Sequence, residues 1–319
     1  MLVKKAIPFS KLRFFMYGLS IVMIVVVWAG TVVRGGFNLG IDFKPGLSET
    51  VQLTVGNPEV SDVRAALRGS DHDFTVQPVG DPSLHQFQLR AVAAADEAKV
   101  ANLQAVISGK AKAALEAKFG VDSVKVLQTE FIGPSLSNEL VIQTTWIALA
   151  AIIAILLYIW LRFKFAYALA AIISLIHDPI FVLGLIGTVQ MEVSTATIAV
   201  ILTIIGYSLN DTIVVFDRIR ENLRLHQSMN PYELIDLAIT QTLSRTIVSS
   251  LTVLLSMVAV YVFTTGSIHD FALALIIGVV VGTYSSIFIA APLMVAISGG
   301  KPPEEKAKKE LTEKDATEA

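Results

Sequence analysis

Charged and polar side chains interrupt the long apolar segments of this 319-residue chain at three places. In one segment, Tyr207, Asn210 and Asp211 recur at helical spacing, so they share one stripe of a helix. Arg245 lies about one turn inside the next apolar segment. A charged residue near the centre of a spanning helix costs about 2.5–3.5 kcal/mol, so each of these charges needs a partner. The spacing predicts that Asp211 and Arg245 pair at matching depth.

A third polar site, His177 beside Asp178, lies near the middle of another apolar segment. Hydroxyl residues also share the face of Arg245, namely Ser249, Thr252 and Ser256. Together these groups favour a hydrated path for protons or small cations. Two alternatives remain, a static Asp211–Arg245 pair that only holds two helices together and a His177 with ordinary core contacts.

The composition indicates a membrane protein. Of all residues, 54% are hydrophobic and 16% charged, with a mean hydropathy of +0.64, whereas soluble domains have about 45–50% apolar and about 25% charged residues. The net charge of -2 argues against nucleic-acid binding. The absence of cysteine excludes disulfides, Cys-ligated zinc, iron–sulfur clusters and thiol nucleophiles. We expect no enzymatic activity, no catalytic or metal-binding residues and no cofactor.

Six segments are long and apolar enough to cross about 30 Å of hydrocarbon, which takes about 20 helical residues. We predict spanning helices at 12–33, 141–161, 166–189, 195–216, 242–263 and 271–297. Gly278 and Gly282 on the sixth helix, and Gly206 on the fourth, are predicted to allow close helix packing. Lys and Arg are concentrated in the loops after the second and fourth helices and in the tail, which predicts that both termini are cytoplasmic.

An external domain is predicted between the first two spanning helices. Its alternating and amphipathic segments give the element order βαββαβ, which is that of a ferredoxin-like α+β sandwich. A short cytoplasmic helix is predicted to begin at Pro231 after the cap residue Asn230. The predicted division is 1–33 for the N-terminus and first helix, 34–140 for the external domain, 141–297 for a five-helix bundle and 298–319 for a disordered cytoplasmic tail.

Several motifs resemble the SecF family, subunits of the bacterial preprotein translocase. The fourth-helix signature of that family resembles the run from Gly206 to Asn222, GYSLNDTIVVFDRIREN. The start of its fifth helix resembles 241–246, and the motif after its first helix resembles Gly40-Ile41-Asp42-Phe43. The stretch 176–178 and the six-helix layout with one external loop also fit. The chain is therefore identified as a member of the SecD/SecF family within the RND superfamily.

The resemblance implies a complex with SecD in the bacterial inner membrane, with residues 34–140 in the periplasm. Such a complex uses the proton-motive force to assist late stages of export through the SecYEG channel, after SecA has pushed the unfolded polypeptide in. The implied coupling ion is H⁺, and Na⁺ stays open. Asp211 would bind the proton, Arg245 would be its switchable partner, and Asn210 would hold the carboxylate. The implied pathway as a whole comprises Asp211, Arg245, Asn210, Tyr207, Asp178 and His177.

Other functions stay open at this point. The chain is half of the architecture of an RND-type secondary transporter, so it would need a partner or a duplicate to move a small lipid or drug. Asp178 and Asp211 make an intramembrane protease conceivable, but neither follows Gly-x-Gly, and no Gly-x-Ser-x-Gly or His-Glu-x-x-His occurs. A pure scaffold would need none of the charges within the membrane.

Overall fold

The computed structural model describes residues 6–70, 72, 74–93 and 102–300. Six helices in this part of the chain are long and apolar enough to cross a membrane, which confirms the six predicted spans. They are α1 (Arg13–Val33), α4 (Pro134–Arg162), α5 (Phe165–Val189), α6 (Thr195–Leu225), α7 (Pro231–Phe263) and a last span in which α8 (Ser267–Ser285) continues through a π-helical turn into α9 (Ala291–Ile297). Residues 301–319 of the predicted tail lie outside the described residues.

The predicted helix from Pro231 is confirmed, but it is not separate from the fifth span, because α7 runs without a break into that span. Its start is as predicted, since Asn230 Oδ1 accepts a hydrogen bond of 2.9 Å from the Tyr232 N–H and Pro231 occupies the first turn. α6 likewise extends to Leu225, beyond its predicted end. Neither extension contains an internal Gly or Pro, so the helical hydrogen bonding continues past the apolar segment.

Between α1 and α4 lies an α+β domain. Its elements are β2 (Gly46–Leu53), α2 (Val60–Leu67), β3 (Phe74–Pro78), β4 (Gln86–Val92), α3 (Leu103–Phe119) and β5 (Val124–Ile132). This order is the predicted βαββαβ, and the strands form one antiparallel sheet in the order β3-β4-β2-β5. The two helices share a core with the sheet that includes Val63, Leu89, Ile107 and Leu115. The helix predicted from Asp96 is described only from Leu103, because 94–101 lie outside the described residues.

A short parallel strand pair ties the end of α1 to the connection between α5 and α6. In this pair, β1 (Asn38–Leu39) lies beside β6 (Glu192–Val193). The centre of the bundle is formed by α5 and the α8–α9 span, whose most apolar stretches are 50% and 61% buried, whereas that of α4 is 0% buried. The helices that carry the polar residues are therefore at the centre of the bundle or next to it.

Candidate functional site

A hydrogen-bonded contact joins the C-terminal part of α6 to the N-terminal part of α7. Arg218 Nε donates to Gln241 Oε1 at 2.6 Å, and Asn222 Nδ2 donates to the same oxygen at 2.9 Å. Asp211 precedes Arg218 by about 10 Å along the axis of α6, and Arg245 follows Gln241 by about 6 Å along α7. The two charges therefore lie on neighbouring helices and on the same side of this contact.

Asp211 is buried and belongs to a polar cluster of three helices. Its exposed fraction is 8%, and the Ser250 hydroxyl on α7 interacts with its carboxylate. Ser250 Oγ in turn lies 2.8 Å from Thr283 Oγ1 on α8. The cluster places a carboxylate and two hydroxyls in one connected line across α6, α7 and α8.

The direct ion pair between Asp211 and Arg245 is not formed in this structure. Arg245 acts on Asp211 electrostatically, but no salt bridge joins them among those found for the described residues. Arg245 and Ser250 are five residues apart on α7, so their side chains diverge by about 140°. Ser250 therefore turns toward Asp211 while Arg245 is exposed. This corrects the expectation that the guanidinium contacts the carboxylate.

Tyr207 and Asn210 lie on the outer side of α6. Tyr207 is 40% exposed and Asn210 is also exposed, so neither contacts a carboxylate of the bundle core. Gly206 is beside them, and a Cβ there would meet no heavy atom within 4 Å. Its predicted role in helix packing is therefore not supported within this chain. Together with Arg245, these residues form an outer polar face on α6 and α7.

His177 and Asp178 form a second, deeper polar cluster. Asp178 is 0% exposed, and its Oδ1 lies 2.9 Å from His177 Nδ1. Its Oδ2 accepts hydrogen bonds from Ser208 Oγ on α6 at 2.5 Å and from Ser285 Oγ on α8 at 2.9 Å. His177 Nε2 has no hydrogen-bond partner among the described residues. The carboxylate thus joins three helices.

Gly278 and Gly282 lie where α8 crosses α6. A Cβ at Gly278 would clash with the Ile204 side chain, and one at Gly282 would lie 3.1 Å from Ser208 Cβ. The two glycines therefore allow the close approach that was predicted for them. This approach also brings Ser208 and Ser285 to the same carboxylate, and a π-helical turn follows directly after Ser285.

The motif that contains Gly40, Asp42 and Phe43 lies at the N-terminal end of α6. Asp42 Oδ2 accepts hydrogen bonds from the Thr195 N–H and the Thr195 hydroxyl, both at 2.8 Å, in the first turn of α6. The Gly40 N–H donates to Val193 O at 2.9 Å, and Phe43 packs against the core of the bundle. The motif therefore anchors the helix that carries Asp211.

The hydroxyls that complete both clusters were missed by the sequence analysis. Ser208, Ser250, Thr283 and Ser285 lie in helices that carry other hydroxyl residues as well, and only their position relative to a carboxylate distinguishes them. The hydroxyls predicted to form a path behave differently, because they donate to backbone carbonyls of their own helix. These are Ser249, Thr252 and Ser256.

Comparison with known proteins identifies close relatives. Residues 111–299 match the family described as "Protein export membrane protein SecD/SecF, C-terminal". The protein translocase subunit SecF of Borreliella burgdorferi is 35% identical over 302 residues, which cover 92% of this chain and 98% of that protein. SecF of Desulfurispirillum indicum is 39% identical over 295 residues, which cover 91% of each chain.

Longer relatives match this chain over part of their length. SecDF of Brucella abortus is 37% identical over 302 residues, which cover 94% of this chain and 38% of that protein. The crystal structure of SecDF from Thermus thermophilus, described as a translocon-associated membrane protein, aligns with a TM-score of 0.75 and 31% identity. That alignment covers 94% of this chain and 40% of the SecDF chain. The chain thus spans about two fifths of the SecDF chains that it matches.

Proposed function

This chain belongs to the SecF family of protein translocase subunits, and we propose that it works with SecD to couple the proton-motive force to late stages of protein export through SecYEG. The observation that carries this proposal is the burial of Asp211 in a polar cluster of three membrane helices. A subunit that only held others in place would need no carboxylate there, because burying one is costly. No enzymatic role is proposed.

Association with SecD is supported by the outer polar face of α6 and α7. Tyr207, Asn210 and Arg245 are exposed on the surface of this chain at the level of the membrane. Polar groups that face hydrocarbon are unfavourable, so a second membrane subunit is expected to cover them. The fused relatives named SecDF provide the two units in one chain.

The proposed coupling step is a change of partner at Asp211. An ionised Asp211 attracts the Arg245 guanidinium, whereas a protonated Asp211 loses this attraction and keeps its contact with Ser250. Proton binding would therefore allow α6 and α7 to shift against each other. The same cluster is compatible with Na⁺ in place of H⁺, because carboxylate and hydroxyl oxygens also suit that ion.

The proposed orientation follows from the distribution of positive charge. Both termini would be cytoplasmic and the α+β domain periplasmic in the inner membrane. Lys and Arg are concentrated in the tail and in the loops after the second and fourth spans, on the side of the membrane away from this domain. The order β3-β4-β2-β5, with two helices on one face, supports a ferredoxin-like fold for that domain. We propose that this domain contacts the unfolded polypeptide as it leaves SecYEG, after SecA has acted.

The test is Asp211→Asn in a strain or vesicle system that depends on this protein. We expect the late, proton-motive-force-dependent part of export to fall to the level without the subunit, while co-purification with SecD is retained. Asp217→Asn is the matched control, because Asp217 is six residues further along the same helix and its side chain is 46% exposed. Export by Asp211→Asn at the rate of the unmodified protein would remove Asp211 from the mechanism.

The ion is identified separately. Export is measured in vesicles that carry either a proton gradient or a sodium gradient of the same size. Stimulation by the proton gradient alone supports H⁺, and stimulation by the sodium gradient alone shows that the coupling ion is Na⁺.

A further inference from the structure

Arg90 reaches from the α+β domain into the membrane bundle. It lies on β4, its Nη1 donates to Glu192 Oε2 at 2.7 Å, and its Nη2 donates to Ser267 Oγ at 2.8 Å. The side chains of Arg90 and Glu192 are only 15% and 13% exposed, so this charge-assisted contact is largely shielded from solvent. Among the salt bridges of the described residues, it is the one that joins the domain to the bundle.

Glu192 is held in place from its other side. It belongs to β6, which pairs with β1 at the end of α1. A Cβ at Gly40 would collide with the Glu192 carboxylate, so the absence of a side chain at Gly40 leaves the space that this carboxylate occupies. The glycine of the motif after α1 thus positions the acceptor of Arg90.

The surroundings of Arg90 on the sheet are mostly neutral. Gly266, which precedes α8, lies against the sheet. A Cβ added at this position would be 3.1 Å from Gln77 Oε1 and 3.7 Å from Gln88 Oε1. Asp270, one turn into α8, interacts electrostatically with His269, Glu192 and Arg90. Arg90 is therefore in direct contact with one carboxylate, that of Glu192, and under the electrostatic influence of a second, that of Asp270.

The two bundle elements held by Arg90 lead to the two polar clusters. Glu192 is three residues before the start of α6, the helix of Asp211 and Ser208, and Ser267 is the first residue of α8, the helix of Thr283 and Ser285. A shift of α6 relative to α8 would therefore change the distance between the two acceptors of a single rigid, planar group.

We infer that Arg90 is the positioning residue through which the external domain follows movements of α6 and α8. The inference rests on the proposed function, because it names the connection by which ion-driven changes in the bundle reach the domain. The ammonium of a lysine is a point charge on a flexible stem, whereas the planar fork of an arginine holds two acceptors in a fixed relative geometry. Arg90 thus makes the orientation of the sheet depend on the relative position of two helix ends.

The experiment compares Arg90→Gln, Arg90→Lys and Glu192→Gln in proteoliposomes or inverted vesicles that contain the complete export machinery. Two quantities are measured, completion of preprotein export and proton flux driven by an imposed gradient. We expect about tenfold slower completion for Arg90→Gln, the effect of losing roughly one charge-assisted contact, a similar loss for Glu192→Gln and an intermediate rate for Arg90→Lys. Proton flux is expected to stay at the level of the unmodified protein.

Arg68→Gln is the matched control, because Arg68 is exposed directly after α2 in the same domain. Unchanged export by Arg90→Gln, or a parallel loss of flux and export with reduced SecD co-purification, would overturn the inference. Asp211→Asn in the same assay separates the two proposals. If Asp211→Asn abolishes the ion-driven part of export while Arg90→Gln has no effect, only the inference about Arg90 fails, and if Asp211→Asn has no effect, the proposed function fails.

Discussion

The Asp178 carboxylate on α5 and the Ser208 hydroxyl on α6 are joined by a hydrogen bond of 2.5 Å in the centre of the bundle. Asp178 is 0% and Ser208 is 1% exposed. Ser285 on α8 donates to the same carboxylate oxygen, so one acceptor sets the positions of two neighbouring helices. Since Ser208 precedes Asp211 by three residues on α6, this contact also orients the proposed ion-binding residue.

We predict that Asp178 and Ser208 are energetically coupled. In a double-mutant cycle of Asp178→Ala and Ser208→Ala, the free energy of unfolding should show a coupling of about 1–1.7 kcal/mol, near the upper end of values for membrane helices because the acceptor is a carboxylate. Unfolding of the purified chain in bicelles measures it. The control cycle pairs Asp178→Ala with Ser256→Ala, an exposed hydroxyl on α7 that donates to its own helix. Additive losses in both cycles would contradict the prediction.

Close packing of α8 on α6 predicts a position-specific effect of adding one methyl group. Gly278→Ala should lower the free energy of unfolding by about 1–3 kcal/mol, because the new Cβ clashes with Ile204. The same substitution should cost less when it is added to Ile204→Ala and compared with that single variant, because the space that the new Cβ needs is then open. Gly206→Ala is the matched control and should be neutral or slightly stabilising in the isolated chain, since nothing lies within 4 Å. Equal effects at the two glycines would contradict the interpretation.

The spans and the order of the elements in the α+β domain could be predicted because strong physical requirements determine them. A bilayer requires about 20 apolar residues per helix, and strands alternate with period two. The ends of α6 and α7 could not be predicted in the same way. Hydropathy marks where the membrane ends, whereas helical hydrogen bonding continues to Leu225 and begins at Pro231.

The site could be predicted only in part. Asp211 and Arg245 were recognisable because a charge in a spanning helix is costly. Which hydroxyls serve the carboxylates depends on helix rotation, which only packing determines. Ser249 donates to its own backbone while the adjacent Ser250 turns toward Asp211, and sequence alone does not separate such neighbours.

Asp42 is predicted to stabilise the N-terminal end of α6. Asp42→Ala removes the acceptor of the Thr195 N–H and hydroxyl. We expect the free energy of opening the first turn of α6 to fall by about 1 kcal/mol, as for other helix N-terminal caps. Asp42→Asn keeps an acceptor oxygen and should lose less. Hydrogen exchange of the first turn of α6 measures both variants, normalised to the unmodified chain. Equal protection in Asp42→Ala and the unmodified chain would exclude the capping role.

Asp62 is predicted to make the stability of α2 depend on pH. The Glu59 N–H donates to its carboxylate at 3.2 Å and Lys118 Nζ lies at 3.3 Å, which lowers the pKa of Asp62 below its ordinary value. The ionised Asp62 carboxylate therefore contributes fully to the stability of α2 above the ordinary pKa. This contribution is lost as the pH falls through the lowered pKa. Asp62→Asn should speed hydrogen exchange of α2 at neutral pH and have no effect in acid, after correction for intrinsic rates. A pH-independent difference between the two chains would contradict this.

The orientation can be tested directly because the chain has no cysteine. Val121 is 84% exposed in the α+β domain, and Ser228 is exposed in the loop between α6 and α7. If positive charge sets the topology, Val121→Cys should react with a membrane-impermeant maleimide in intact spheroplasts, whereas Ser228→Cys should react only after permeabilisation. The unmodified chain, which has no thiol, gives the background. The reverse pattern would place the domain in the cytoplasm, where it could not meet a polypeptide leaving the channel, and the proposed role of the domain in export would fail with it.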